Sequence, residues 1–198
     1  PLRIANDANC YTLSDALDGA GKGYGVVFGV IMGTGVGGGV VFKGQLHSGR
    51  QNIGGEWGHN ILELDGPDCY CGHKGCVETL ISGPGLTADF QRHGGSSTLA
   101  ASDIVVLAEQ GDVLAEAVMQ RFFDRFGRAM AMVVNILDPD AIILGGGLSN
   151  VERLYSGGRA RIAHYVFNDE LITPILKNVH GDSSGVRGAA QLWRSDEI

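Results

Sequence analysis

The segment Cys69-Tyr70-Cys71-Gly72-His73-Lys74-Gly75-Cys76 carries three thiols within eight residues, and Gly55-Glu56-Trp57-Gly58-His59 sets an imidazole shortly before it. Three thiolates and one imidazole, from His59, Cys69, Cys71 and Cys76, form a ligand set that suits tetrahedral zinc. The segment is polar and glycine-rich, unlike the apolar helix face on which buried thiols usually sit. Four protein ligands leave no position for an activated water, so the expected zinc is structural. His73 lies in the same loop, and the pattern alone leaves it open as a replacement for His59. Cys10 shares a helical spacing with Leu13 and Leu17 and reads as a core thiol.

Residues 49–75, around this segment, show no helical or strand period. A loop of that length inside a compact domain needs something to organise it. Before it, 24–32, 38–43 and 45–48 read as three strands of an antiparallel meander with a glycine-rich turn at 33–37. Residues 2–5 are short and apolar, and Asn6-Asp7 suits the start of a helix ending near Gly19. After the loop, a helix beginning at Val77 is expected to stop at Gly83-Pro84-Gly85, and another spans 103–109 with Ser102 as its cap. Leu114, Val118, Phe122, Phe126, Ala129, Met130, Val133 and Leu137 mark the apolar stripe of a long helix after Asp112, which Asp138-Pro139 ends. Residues 141–144 read as a buried strand running into Gly145-Gly146-Gly147, with a helix starting at Leu148-Ser149-Asn150. A strand at 172–179 and a helix at 186–193 complete one α/β domain without repeat or linker.

At 198 residues the chain can bury a substantial core without a metal or disulfides, so a zinc would shape a site rather than rescue the fold. The net charge of -7, with no Lys/Arg cluster, argues against nucleic acid as a direct partner. No apolar run approaches the roughly 18–20 residues of a membrane span, and residues 1–7 do not read as a signal peptide. A reducing, cytoplasmic setting and a metal site fit the cysteines better than disulfides. The 32 glycines cluster at turns between apolar strands, where backbone can approach a ligand.

Asn6-Asp7-Ala8-Asn9, Gly33-Thr34-Gly35-Val36-Gly37-Gly38-Gly39, Gly55-Glu56-Trp57-Gly58-His59, the cysteine segment continuing into Val77-Glu78, and Gly145-Gly146-Gly147-Leu148-Ser149 occur in this order. Together they resemble the ROK family (repressors, open reading frames, kinases), most closely its bacterial fructokinases. The resemblance implies an actin-like, ribonuclease-H-like α/β fold with a mixed sheet and an inserted zinc-binding loop. It also implies a cytoplasmic ATP-dependent hexose kinase, with magnesium accompanying the nucleotide and a homodimeric assembly. Residues 1–198 would be the C-terminal domain of such a kinase, with 49–78 as its zinc and sugar-binding segment. The N-terminal domain and its first phosphate loop have no counterpart here, so this chain by itself is expected to be inactive.

Read alone, Asp7 is slightly better placed as a cap of the helix that follows; by similarity it would instead be the general base, accepting the proton of the attacking sugar hydroxyl. Asn6, Glu56, His59 and Glu78 match the positions that hold sugar hydroxyls, with His59 serving zinc and sugar at once. Gly33, Thr34, Gly35 and Gly37 would form the second phosphate loop, and Gly145, Gly146 and Gly147 the adenosine corner. Fructose is the expected sugar, with glucose or mannose kinases as close alternatives. The effector-binding part of a ROK-type repressor and a zinc-stabilised binding module without chemistry are the competing classes.

Overall fold

Asn6 starts the first helix: its side-chain oxygen accepts the Asn9 amide at 2.8 Å, capping α1 (Asp7–Asp18). The computed structural model describes residues 2–193. The expected meander follows as β1 (Val26–Met32), β2 (Val36–Phe42) and the short β3 (Gln45–Leu46). With β4 (Ala141–Gly145) and β5 (Ile175–Lys177) these form one sheet in the order β3-β2-β1-β4-β5. β1 is antiparallel to β2 but parallel to β4, so the sheet is mixed.

The two-residue period of β1 and β4 divides the core. Val27 and Ile143 face Tyr11, Leu13 and Ala16 of α1. Phe28, Val30, Met32, Ile142 and Leu144 face the long helix α5 (Val113–Leu137), whose stripe residues Val118, Phe122, Phe126, Ala129 and Met130 are all buried. Gly29 and Gly39 are paired across β1 and β2, and both face Thr12. A Cβ at either would fall 2.1 or 2.5 Å from the Thr12 hydroxyl oxygen. The missing side chains thus let α1 lie close on the sheet, and its Asn6-Asp7 end is set by that contact.

The segment after the loop departs from expectation. α2 (Val77–Ile81) is followed at once by α3 (Gly83–Arg92), because Ser82 accepts the Gly85 amide at 3.1 Å and Pro84 fits a first helical turn. Gly83-Pro84-Gly85 therefore starts a helix rather than ending one. α4 (Ala101–Glu109) begins ahead of the expected 103, and the Asp103 carboxylate accepting the Ala100 amide replaces Ser102 as the cap contact. Leu148-Ser149-Asn150 belongs to a single 3-10 turn, Gly147–Asn150; the next helix is α6 (Gly157–Tyr165), which has no apolar stripe to announce it. The last helix, α7 (Ser184–Ala190), packs on α1, where buried Asp15 accepts from the Ser184 hydroxyl and the Val179 amide.

Residues 49–75 contain a 3-10 turn, Trp57–His59, and isolated bridges between Ile61 and Cys76 and between Asp68 and Lys74. Glu63 fixes the loop to α5 by accepting from Arg125 at 2.9 Å and Arg128 at 3.0 Å. Arg125 also stands 3.4 Å from buried Asp89 of α3. For Asp89, burial raises the carboxyl pKa, but the Arg121 hydrogen bond and the Arg125 and Arg121 charges outweigh it and hold it below the usual range.

Candidate active site

Four structural elements converge on one cavity of about 380 Å³: the N-terminus of α1, the β1–β2 turn, the 3-10 turn of the long loop, and α2. Asn6, Asp7, Glu56, His59 and Glu78 all line it, together with Gly33, Thr34, Gly35 and Gly37. The Asn6 amide donates to Glu56 at 2.7 Å, joining α1 to the loop. Glu78 Oε2 accepts the Val36 amide at 3.0 Å, joining α2 to β2. Trp57, buried against Phe28, donates to the Gly37 carbonyl at 3.2 Å and so seats the turn that carries His59. Asp7 is exposed; one of its oxygens accepts the Ala8 amide at 2.9 Å.

A larger, mostly apolar cavity of about 630 Å³ lies beside the first. Val105, Val106, Leu148, Val151 and Pro84 provide its walls, and Gly147 opens onto it. Gly33 and Thr34 border both cavities, so the β1–β2 turn is their common edge. Gly145 and Gly146 do not line this space. Gly145 abuts the Tyr11 ring, and Gly146, at φ 78°, passes against the Met32 carbonyl where a Cβ would stand 2.5 Å away.

The ligand atoms of His59, Cys69, Cys71 and Cys76 lie within 4.8 Å of one another, and all the cysteines are free thiols. Cys71 Sγ is 3.6 Å from Cys76 Sγ, and Cys69 Sγ is 3.6 Å from His59 Nδ1. Zn–S bonds near 2.3 Å in a tetrahedron place sulfurs about 3.8 Å apart, a spacing these two pairs match, and the full set, spread over as much as 4.8 Å, would draw in around such an ion. The His73 ring lies 3.4 Å from Cys71 Sγ and its carbonyl accepts the Cys69 amide, but the close group of four candidate ligand atoms contains His59 and not His73. Hydrogen bonds from the His73 backbone and ring lower the Cys71 thiol to about 6. Burial, followed by its contacts with Cys71 and Cys69, pushes Cys76 up to about 12. With a divalent ion at their centre the three thiols would be held as thiolates, its charge offsetting theirs.

Tyr70 is the site residue that the sequence reading missed. Its hydroxyl sits 3.0 Å from His59 Nε2 and its ring stands edge-on to the imidazole, on the wall of the smaller cavity. The available signal was an aromatic residue in an otherwise polar, glycine-rich loop between two metal-type cysteines.

Among curated proteins, the chain is 40% identical over 209 residues to the N-acetyl-D-glucosamine kinase of Yersinia pseudotuberculosis serotype O:1b, covering 99% of this chain and 67% of that protein. Among solved structures it resembles a ROK hexokinase from Thermus thermophilus, with TM-score 0.88 and 30% identity over 96% of this chain and 64% of that one. It is also similar to a ROK family glucokinase from Streptomyces griseus in complex with glucose and AMPPNP, with TM-score 0.87 and 28% identity, covering 97% of this chain and 68% of that one. The chain thus spans about two thirds of the length of the relatives it matches. The sequence model described as the ROK family matches residues 1–196, and with these relatives it shows that the chain belongs to the ROK family.

Proposed function

We propose that the full-length protein transfers the γ-phosphoryl group of ATP to a hexose hydroxyl. The observation that carries this reading is the pair of cavities meeting at Gly33 and Thr34, one polar with Asp7 on its wall and the other mostly apolar. A sugar in the first cavity and adenosine in the second would bring the phosphates over the β1–β2 turn, whose backbone amides suit anions. Asp7 accepts the proton of the sugar hydroxyl as its oxygen bonds to the γ-phosphorus and ADP leaves. Asn6, Glu56 and Glu78 hold the remaining hydroxyls, and His59 joins them by exchanging its Nε2 contact with the Tyr70 hydroxyl for one with the sugar. Magnesium accompanies the nucleotide.

One of the relatives named above is an N-acetyl-D-glucosamine kinase, and another is a glucokinase solved with glucose. The reading therefore moves from fructose to N-acetyl-D-glucosamine, with glucose as the alternative. Zinc, held by His59, Cys69, Cys71 and Cys76, supplies a fixed structural anchor. His59 ties that anchor to the sugar cavity, since the same side chain belongs to both. The test is sugar-dependent ADP release by the full-length protein across N-acetyl-D-glucosamine, glucose, mannose and fructose. Turnover with N-acetyl-D-glucosamine supports the reading. No ADP release above the sugar-free rate with any of the four would end it.

A further inference from the structure

A second recess of about 510 Å³ adjoins the polar cavity, and Thr34, Gly35, Tyr70 and Glu78 border both. Pro67, Pro84 and Ala88 line its other side, the latter two one turn apart on α3. Asp68, Thr79 and Ser82 border the recess as well, but its Pro67, Pro84 and Ala88 side offers little to a hydroxyl, which would lose water there without gaining a partner. Two groups at the border point to a substituent that is part polar and part apolar. Glu78 holds the Val36 amide through Oε2, while Oε1 accepts no hydrogen bond from the described residues. That oxygen can take an amide N–H. Tyr70 is 84% exposed, and its edge-on contact with His59 leaves the ring faces uncovered. An apolar group laid on that ring would remove its surface from water.

We propose that this recess receives the acylamino arm of an N-acylated hexosamine, with Tyr70 and Ala88 as specificity-determining residues. The assignment rests on the hexose site proposed above. The arm's N–H meets Glu78 and its methyl group packs between Tyr70 and the Pro84–Ala88 face of α3. A hexose bearing only hydroxyls leaves the recess to water.

Calorimetric titration of the full-length protein with N-acetyl-D-glucosamine and with D-glucose measures the affinity ratio of the two sugars. Ala88→Leu fills the recess from α3, and Tyr70→Ala removes the ring at an exposed position. Each is expected to lower the ratio of N-acetyl-D-glucosamine to glucose affinity by about tenfold, the scale on which a pocket senses a few carbon atoms. An unchanged ratio in either folded variant overturns the assignment, as does wild-type protein that binds glucose but not N-acetyl-D-glucosamine. Should Ala88→Leu fail to fold, Tyr70→Ala decides. The titration reads binding alone, so absence of phosphoryl transfer would count against the kinase reading and leave this comparison standing.

Discussion

Glu78 and Val36 lie 42 residues apart in sequence and are joined by one hydrogen bond of 3.0 Å, from the Val36 amide to the Glu78 carboxylate. The bond ties a residue of the polar cavity to the turn that also edges the apolar one. Glu78→Gln removes the charge from that acceptor, and charged hydrogen bonds of this kind are worth about 1.5–3 kcal/mol. The expected result is a ten- to hundredfold drop in kcat/KM for the sugar, on the scale of that bond, with a rise in KM for ATP. Steady-state kinetics with both substrates varied will show it. An unaltered KM for ATP would mean that the bond does not couple the two cavities.

Asp7→Asn should separate chemistry from binding. The amide keeps the shape and the contact with the Ala8 amide but cannot take a proton. Turnover is expected to fall by about a thousandfold, within the range attributed to general acid–base groups, while sugar affinity stays within a fewfold of wild type. Retained turnover in this variant would remove Asp7 from the role.

Gly39→Ala tests whether the seat of α1 matters to the site. The added methyl group would stand 2.5 Å from the Thr12 hydroxyl, which itself donates to the Ala8 carbonyl at 2.8 Å. Overpacking of this sort costs about 1–3 kcal/mol, and the displaced helix carries Asp7, so both melting temperature and kcat should fall. Adding Thr12→Ala removes the nearest clash and should restore part of each, though the position-12 Cβ at 2.9 Å and the Ala8 carbonyl at 3.0 Å still crowd the new methyl. A double variant no better than the single would place the strain elsewhere.

The Glu63–Arg125–Asp89 network predicts an acid limb to stability. Asp89 has a folded pKa below its ordinary 3.8, and Glu63 one below 4.5, where burial is outweighed by the Arg125 and Arg128 hydrogen bonds and charges. A lowered folded value means that the unfolded chain binds protons first as pH falls. The contribution is therefore complete above those ordinary values and is lost as pH drops through the folded ones. Urea unfolding at a series of pH values should show a decline below about pH 4.5, shallower in Asp89→Asn. Arg125→Met leaves buried Asp89 and partly buried Glu63 short of a partner and should cost about 3 kcal/mol at neutral pH.

One equivalent of zinc is expected in protein purified without chelator. Chelation should weaken sugar binding, followed by titration, at concentrations where the far-ultraviolet circular dichroism is still native. His59 is the reason: it lines the cavity while its Nδ1 lies in the thiol cluster. Loss of the folded signal before loss of binding would make the ion a simple clip for the loop.

Legibility in the sequence followed the range of the forces involved. The α5 stripe was readable because each contact repeats at helical spacing within one element, and the meander because its strands are joined by short turns. α6 was not, since Gly157–Tyr165 is held by packing on α5 and not by its own pattern. Gly83-Pro84-Gly85 misled because the same residues break a helix interior and suit a first turn; Ser82 decides between the two. The cysteine cluster was visible because its chemistry is rare, and five site residues followed from the resemblance. Their arrangement around one cavity needed the fold, as did the nearness of Ala88 and Tyr70, which comes only from α3 folding back beside the loop.

β1 has an antiparallel neighbour on one side and a parallel one on the other, so β1 and β4 run out toward the same rim of the sheet. Gly33-Thr34 leaves that rim from β1 and Gly147 from β4, while the cysteine loop arrives from a separate part of the chain. The polar recess, its side pocket and the apolar cavity thus share the β1–β2 turn on one edge of the sheet and differ in the loops that close them. Under the proposed kinase reading, substitutions at Tyr70 within the cysteine loop would retune which sugar is accepted while Glu63, the thiols and the strand ends keep their places, which gives descendants of this chain a route to new substrates that never disturbs the sheet.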